Sequence, residues 1–192
     1  MAPRGKRLKR KPHTNANKLR VDYKSICTID HECVCCSDIE NCCCARYDVC
    51  VTDAEIKKII PFLPEAAKFS PHLKEKRGYA NVFEDGEKGL HSIETDEDGL
   101  CLFAFRDKGL FRCSLHSVEL SLGLPFGSVK PKMCVLWPLT FSEDGRTLTL
   151  HDDALFCRHS SLRKKPSNHV SPALAETIEI MTGKTKKLKK LC

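Results

Sequence analysis

A chain of 192 residues, 41% hydrophobic and 30% charged, suits one domain of ordinary size with a modest core and leaves little room for two. No stretch reaches the roughly 20 consecutive apolar residues of a membrane span, which excludes a transmembrane helix. The net charge of +7 sits at the ends: residues 1–20 hold eight Lys or Arg and no acid, residues 183–192 hold five Lys and no acid, and residues 21–182 therefore sum to −6 (7 − 13).

Residues 1–20 lack periodicity and are rich in Lys, Arg, Pro and Asn, so they read as a disordered basic arm. A matching basic tail covers 183–192, and a single domain is expected between them over 21–182. Nucleic-acid binding, if present, belongs to these tails, which attract phosphate without reading sequence. Solubilising ends are the plainer reading.

The segment from Cys27 to Cys50 holds eight of the thirteen cysteines and shows neither helical nor strand alternation. Thr52-Asp53-Ala54-Glu55 then forms a capping box. Ile56, Ile59 and Ile60 fall on one face of the helix it opens, and Pro61 ends it. Pro64 and Pro71 punctuate short helical pieces, and the acidic stretch from Glu84 to Asp98 is expected to be exposed turn. Gly99 to Phe105 and Leu110 to Cys113 read as a hairpin around Arg106-Asp107-Lys108-Gly109, which would bring Cys101 and Cys113 together from opposite strands. Ser114 is placed to cap a short helix carrying Leu115, Val118 and Leu122, with Gly123 as its stop. Met133–Phe141 and Thr147–Leu150 read as a second hairpin. Ser171 and Pro172 open a last helix with Leu174, Ile178 and Met181 on one face, closed by Gly183.

The start MAPRGKRLKRKPHTNANKLR has no apolar segment for a secretory signal, so a cytoplasmic location is expected. The odd cysteine count fits a closed disulfide framework poorly, and in a reducing compartment so many thiols point to metal or redox chemistry. Cys33 and Cys36 have the two-residue spacing that lets one turn present both sulfurs to one ion. Cys42, Cys43 and Cys44 follow. In an extended chain Cys42 and Cys44 would share a face and Cys43 would point away. Eight thiols in one segment therefore imply several metal atoms, or thiols that are not ligands. Cys101, Cys113, Cys134 and Cys157 recur far along the chain, where a shared metal would tie distant segments together. His116 and His159 stand two residues after Cys113 and Cys157, close enough to complete mixed sulfur–nitrogen sites, and His31 is a further candidate. Cys192 in the lysine-rich tail reads as a free thiol.

With these residues in place, the chain resembles the YkgJ-like cysteine-cluster family, described as zinc- or iron-chelating. That family's pattern begins C-x-x-C-x-x-C-C before a capped helix. A C-x-F segment, a cysteine after a Gly-containing turn, and R-P-x-x-C-x-x-F-P follow. The matching residues are Cys33 and Cys36, Cys42-Cys43, the Thr52 helix, Cys101-Leu102-Phe103, Cys113-Ser114-Leu115-His116, and Lys130-Pro131-Lys132-Met133-Cys134-Val135-Leu136-Trp137-Pro138. The likeness spans roughly residues 27–160. Five residues separate Cys36 from Cys42 where the pattern has two, Cys35 and Cys44 are extra, Lys130 replaces Arg, and Trp137 replaces Phe. A longer insertion also precedes Pro131.

The resemblance implies a metal site drawn from Cys33, Cys36, Cys42, Cys43, Cys101, Cys113 and Cys134, with Cys35 and Cys44 as alternatives in the crowded motifs, and the position of Cys50 at the end of the cysteine-dense segment adds it to the expected ligands. An iron–sulfur cluster or zinc is the expected cofactor, since adjacent, irregular thiolates favour a polynuclear centre over one tetrahedral ion. The alternatives are a zinc-bound interaction module using the basic tails, and a metal-dependent enzyme using acids such as Asp38, Glu40 and Asp48 or His116. No Gly-rich phosphate loop, G-x-S-x-G elbow or H-E-x-x-H signature occurs. The expected fold is α+β: a small metal-stapled domain with short helices, two β-hairpins and extensive loop.

Overall fold

The computed structural model describes residues 19–32, 36–75, 79, 81–86, 89–157, 159–164 and 169–183. Cys33, Cys35, Cys192 and nearly all of both basic tails lie outside these residues.

The fold is α+β, with short helices around four small sheets. The Thr52 capping box forms as its sequence dictates. The Thr52 hydroxyl accepts the Glu55 N–H at 3.3 Å, Glu55 accepts the Thr52 N–H at 3.0 Å, and α3 (Asp53–Ile59) begins there. It tightens into a 3-10 turn at Ile60–Phe62, where Pro61 cannot supply the next amide hydrogen. Ahead of α3, strand β3 (Cys50–Thr52) pairs antiparallel with β5 (Leu90–Ile93), which also pairs with β4 (Phe83–Glu84). The acidic 84–98 stretch thus contributes a central strand as well as turns. Buried Ile93 explains it, since apolar burial outweighs the flanking charge.

The first expected hairpin is present but shorter. Strands β6 (Ala104–Asp107) and β7 (Leu110–Cys113) meet at Lys108-Gly109, both at positive φ as a type I′ turn demands. Cys101 lies before β6, bridged to Thr95, and the residue opposite Cys113 is Ala104. Cys113, rather than Ser114, is the N-cap of α6 (Ser114–Ser121). The expected strand from Met133 starts as a helix instead: α7 (Lys132–Leu136) follows Pro131, and only Leu139–Phe141 is strand β8. Pro131 favours a helix start just after it, and the apolar run 133–136 is too short for periodicity to separate helix from strand. Strand β9 (Thr147–Leu150) pairs with β8 as expected and, in parallel, with β1 (Arg20–Val21). The final helix, α8 (Pro172–Thr182), has Ser171 as N-cap and Gly183 in the left-handed conformation at its end.

Apolar burial falls into three clusters. One packs Val51, Ile59, Leu63, Leu73, Phe103, Leu115 and Val118 beneath β3–β5 and the helices α3, α4 (Leu63–Ala66) and α6. Another joins α1 (Tyr23–Ile26) and β2 (Ile29–His31) to β8, β9 and α8 through Ile26, Ile29, Leu139, Leu148, Leu174 and Ile178. Each such side chain, fully buried, stabilises the fold by about 2 kcal/mol. The third cluster is small and holds Cys42, Leu100, Ala104 and Phe111, with Cys36 and Cys44 against it. Among the described residues, no helix is long and apolar enough to cross a membrane.

Candidate metal centre

The cysteine segment is not purely loop: Cys43–Arg46 form one helical turn, α2, with extended Cys42 as its N-cap. The turn is held by the Ala45 and Arg46 N–H groups, which donate to the Cys42 carbonyl at 3.0 and 3.1 Å. Two backbone contacts fix this segment to the β6–β7 region. The Phe111 N–H donates to the Cys36 carbonyl at 2.6 Å, and the Cys101 N–H donates to the Cys44 carbonyl at 2.8 Å. Cys36 and Cys44 are thereby held where the chain around Cys101 and Cys113 passes.

Thiols from five segments act on one another. Cys42 is buried, and hydrogen bonds from the Cys36 thiol and then the Cys44 thiol pull its pKa well below the ordinary value. The N–H groups of Cys44 and Ala45 act in the same direction. Donating to Cys42 pushes the Cys36 thiol up, and donating to Cys42 and Cys43 does the same to Cys44. Cys43 is held below the usual range, chiefly by the Cys44 thiol. Burial raises Cys101, to about 12, and raises Cys113 and Cys134 as well. Each of those three also feels the charge of Cys43. Lys130 opposes the rise at Cys113 and Cys134, and it also lowers Cys43, so one cation stands beside the group.

Of the expected ligands, Cys101, Cys113 and Cys134 lie with Cys44 at one apolar cluster and all three feel Cys43, while Cys36 feels Cys42 and Cys43. Cys43 does not face away from the rest, because α2 replaces the extended chain on which that expectation stood. Cys50 is exposed on β3, on the face opposite buried Val51, and takes part in none of these interactions. Cys157 joins from the far end of the chain by acting on Cys36. Cys27 is buried and disulfide-bonded, whereas the nine other described cysteines are free thiols. As they stand, the thiols satisfy one another: among the described residues, no three Cys, His, Asp or Glu side chains are arranged to hold a metal ion.

The histidines divide. His116 lies 3.3 Å from the Glu119 carboxylate and edge-on to Phe126. His31 is buried with Nδ1 2.8 Å from the Ser160 hydroxyl, and burial foremost, then the charge of His159, lowers its pKa to about 4. His159 lines a cleft with Cys36, Cys43 and Cys157, walled by Asn41, Arg46, Tyr47, Trp137 and Phe156. Tyr47 packs on Trp137 with ring centroids 4.8 Å apart, and its hydroxyl donates to Asp153 at 3.0 Å. Asp38, weighed as a catalytic acid, accepts the Glu40 N–H and the Asn41 side-chain amide, which is local turn chemistry.

Glu119 carries no sequence signal beyond standing three residues after His116, yet it is 1% exposed. Its carboxylate accepts the Val129 and Lys130 N–H groups at 2.7 and 2.8 Å, fixing the chain that presents Lys130.

No family model, curated protein or solved structure matches the chain. The functional reading therefore rests on its own residues.

Proposed function

We propose that the protein binds a metal, as an iron–sulfur cluster or zinc, through a discontinuous set of cysteine thiolates, in a redox or structural role. The observation that carries this is the convergence of Cys44, Cys101, Cys113 and Cys134, from segments far apart in sequence, on one apolar cluster, with Cys43 acting on the last three. Packing thiols this closely has an electrostatic consequence. Two thiolates about 4 Å apart repel by roughly 4 kcal/mol at an effective dielectric of 20, so several cannot ionise together beside one lysine. A bound metal removes that limit, because it replaces the thiol protons and supplies the missing positive charge. When bound, the metal would staple α2 to the start of β6, to β7 and to α7, and so contribute to folding.

Anaerobic purification with metal and sulfide analysis and a visible spectrum tests this. A brown protein with stoichiometric iron and sulfide identifies a cluster, and a colourless one with stoichiometric zinc identifies a zinc centre. A metal-free protein with an unaltered fold overturns the proposal.

A further inference from the structure

The 3-10 turn Asp152–Phe156 follows β9 at His151 and packs beside strand β10 (Ser160–Leu162). These two adjoining elements leave three large apolar side chains in solvent: Leu155 is 47% exposed, Phe156 59% and Leu162 65%. Phe156 also edges the cleft whose aromatic wall is Tyr47 and Trp137, and the His151 ring lies 5.2 Å from that of Trp137. Large apolar groups exposed together mark a contact surface, whereas single ones are ordinary.

The charge around this face is mostly negative. Asp153 accepts the Tyr47 hydroxyl at 3.0 Å, Asp152 and Asp48 are exposed next to these two residues in the chain, and Asp38 borders the adjoining hollow with Cys36 and His159. Against them stands Arg46, whose guanidinium is already stacked on Phe156, 4.8 Å from the ring centre. An aromatic face with an acidic rim suits a segment that mixes cations with apolar side chains, because Lys and Arg pair with carboxylates and also lie against aromatic rings. The chain carries such a segment itself. Lys6-Arg7-Leu8-Lys9-Arg10-Lys11 sets five cations around one leucine, opposite in charge to the body of −6.

This run is within reach of the face. The arm joins the described fold at β1, where Arg20 sits beside Thr147 of β9. From Thr147 to His151 the strand covers about 13 Å. The 3-10 turn that follows adds about 10 Å. The chain between Lys11 and Arg20 spans up to about 30 Å when extended, which is enough.

We propose that residues 6–11 of the basic arm dock on the face formed by Tyr47, Trp137 and Phe156, held by the acids at its rim. Cys36, Cys43 and Cys157 line the same cleft, so the docked arm covers that side of the thiol group. The contact needs no bound metal.

Limited trypsin digestion of the full chain reads the docking, because cleavage within residues 4–11 tracks the population of undocked arm. At low salt the native arm should be cut about threefold more slowly than that of Phe156→Ala or Asp152→Asn, the ratio for an arm docked two-thirds of the time. Salt at about 0.5 M screens the rim and should narrow the difference. Asp152 is exposed, so Asp152→Asn carries the test if circular dichroism shows Phe156→Ala misfolded. Trp137 is the single tryptophan of the chain, and acrylamide quenching of its fluorescence reads the same event from the cleft. Quenching should be stronger in a full chain bearing Lys6→Gln, Arg7→Gln, Lys9→Gln, Arg10→Gln and Lys11→Gln than in the native protein. Equal cleavage of the native and cleft variants, or equal quenching of the native and arm variants, overturns the proposal. Protection that grows with protein concentration also overturns it, by placing the arm on a second copy. So does protection that appears only when a single-stranded oligonucleotide is added.

Discussion

The Glu119 carboxylate, buried at the end of α6, accepts the backbone N–H of Lys130 at 2.8 Å and so helps set where Lys130 leaves the chain. The same oxygen takes the Val129 N–H at 2.7 Å, so the acid closes the loop that runs from α6 into Pro131. Lys130 is the cation felt by Cys43, Cys113 and Cys134.

Replacing Glu119 by Gln keeps the shape but turns charge-assisted acceptors into neutral ones and leaves an amide without a matched partner. A loss of roughly 2 kcal/mol is expected. Urea unfolding of the full chain measures it, and a loss under about 0.5 kcal/mol would show that the buried carboxylate is not an anchor.

The pH dependence follows from the same residue. Burial alone would raise the Glu119 pKa, but His116 and the N–H groups of Lys130 and Val129 outweigh it and hold it below the ordinary 4.5. The unfolded chain therefore takes up this proton first as pH falls. Its stabilisation is complete above the ordinary carboxylate range and is lost as pH drops through the folded-state value. The stability gap between native and Glu119→Gln proteins should stay constant near neutrality and narrow below about pH 4.5. A gap that widened there would reverse the assigned sign.

Glu55 serves two helices. One carboxylate oxygen completes the Thr52 capping box, and the other accepts the Lys132 N–H at 2.8 Å at the first turn of α7. Thr52→Ala should cost about 1 kcal/mol, the usual value of an N-cap. Glu55→Ala should cost more, because it also frees the helix that carries Cys134. Thermal unfolding of the two variants side by side gives the order.

Cys50 and Cys134 make a paired test of the metal reading. Cys134 packs with Cys44, Cys101 and Cys113, whereas Cys50 is exposed on β3. Metal analysis after anaerobic purification should find native metal content in Cys50→Ser and depleted content in Cys134→Ser. The opposite pattern would move the centre to the sheet surface.

Where local chemistry decides the conformation, the sequence was a good guide. The Thr52–Glu55 box, the Lys108-Gly109 turn, the β8–β9 pair and the Pro172–Gly183 helix each depend on residues within one turn of themselves. Residues 133–136 are helical where the sequence predicts strand, because a short apolar run carries no period. Cys43–Arg46 were missed as a helical turn because four residues are too few to display one. At the candidate centre, residue type pointed to Cys36, Cys42, Cys43, Cys101, Cys113 and Cys134, but spacing could not exclude Cys50. What excludes it from the gathered thiols is the pleat of β3, which turns Val51 inward and Cys50 out. Glu119 was illegible, since its partners are backbone groups and no side-chain pattern announces them.

The parallel pairing of β1 with β9 sets residue 20 beside residue 147. The apolar cluster under that pair needs Ile26 and Ile29 from one end of the described chain and Leu174 and Ile178 from the other. On a ribosome, the early half of this cluster emerges with the thiol-rich segment while its late half is still untranslated. The β3–β5 sheet and the β6–β7 hairpin, built from nearer neighbours, can close first, since short loops cost less entropy to form. Until residues 174 and 178 have been made that cluster cannot close, so the flank it forms around Cys27 stays open to solvent.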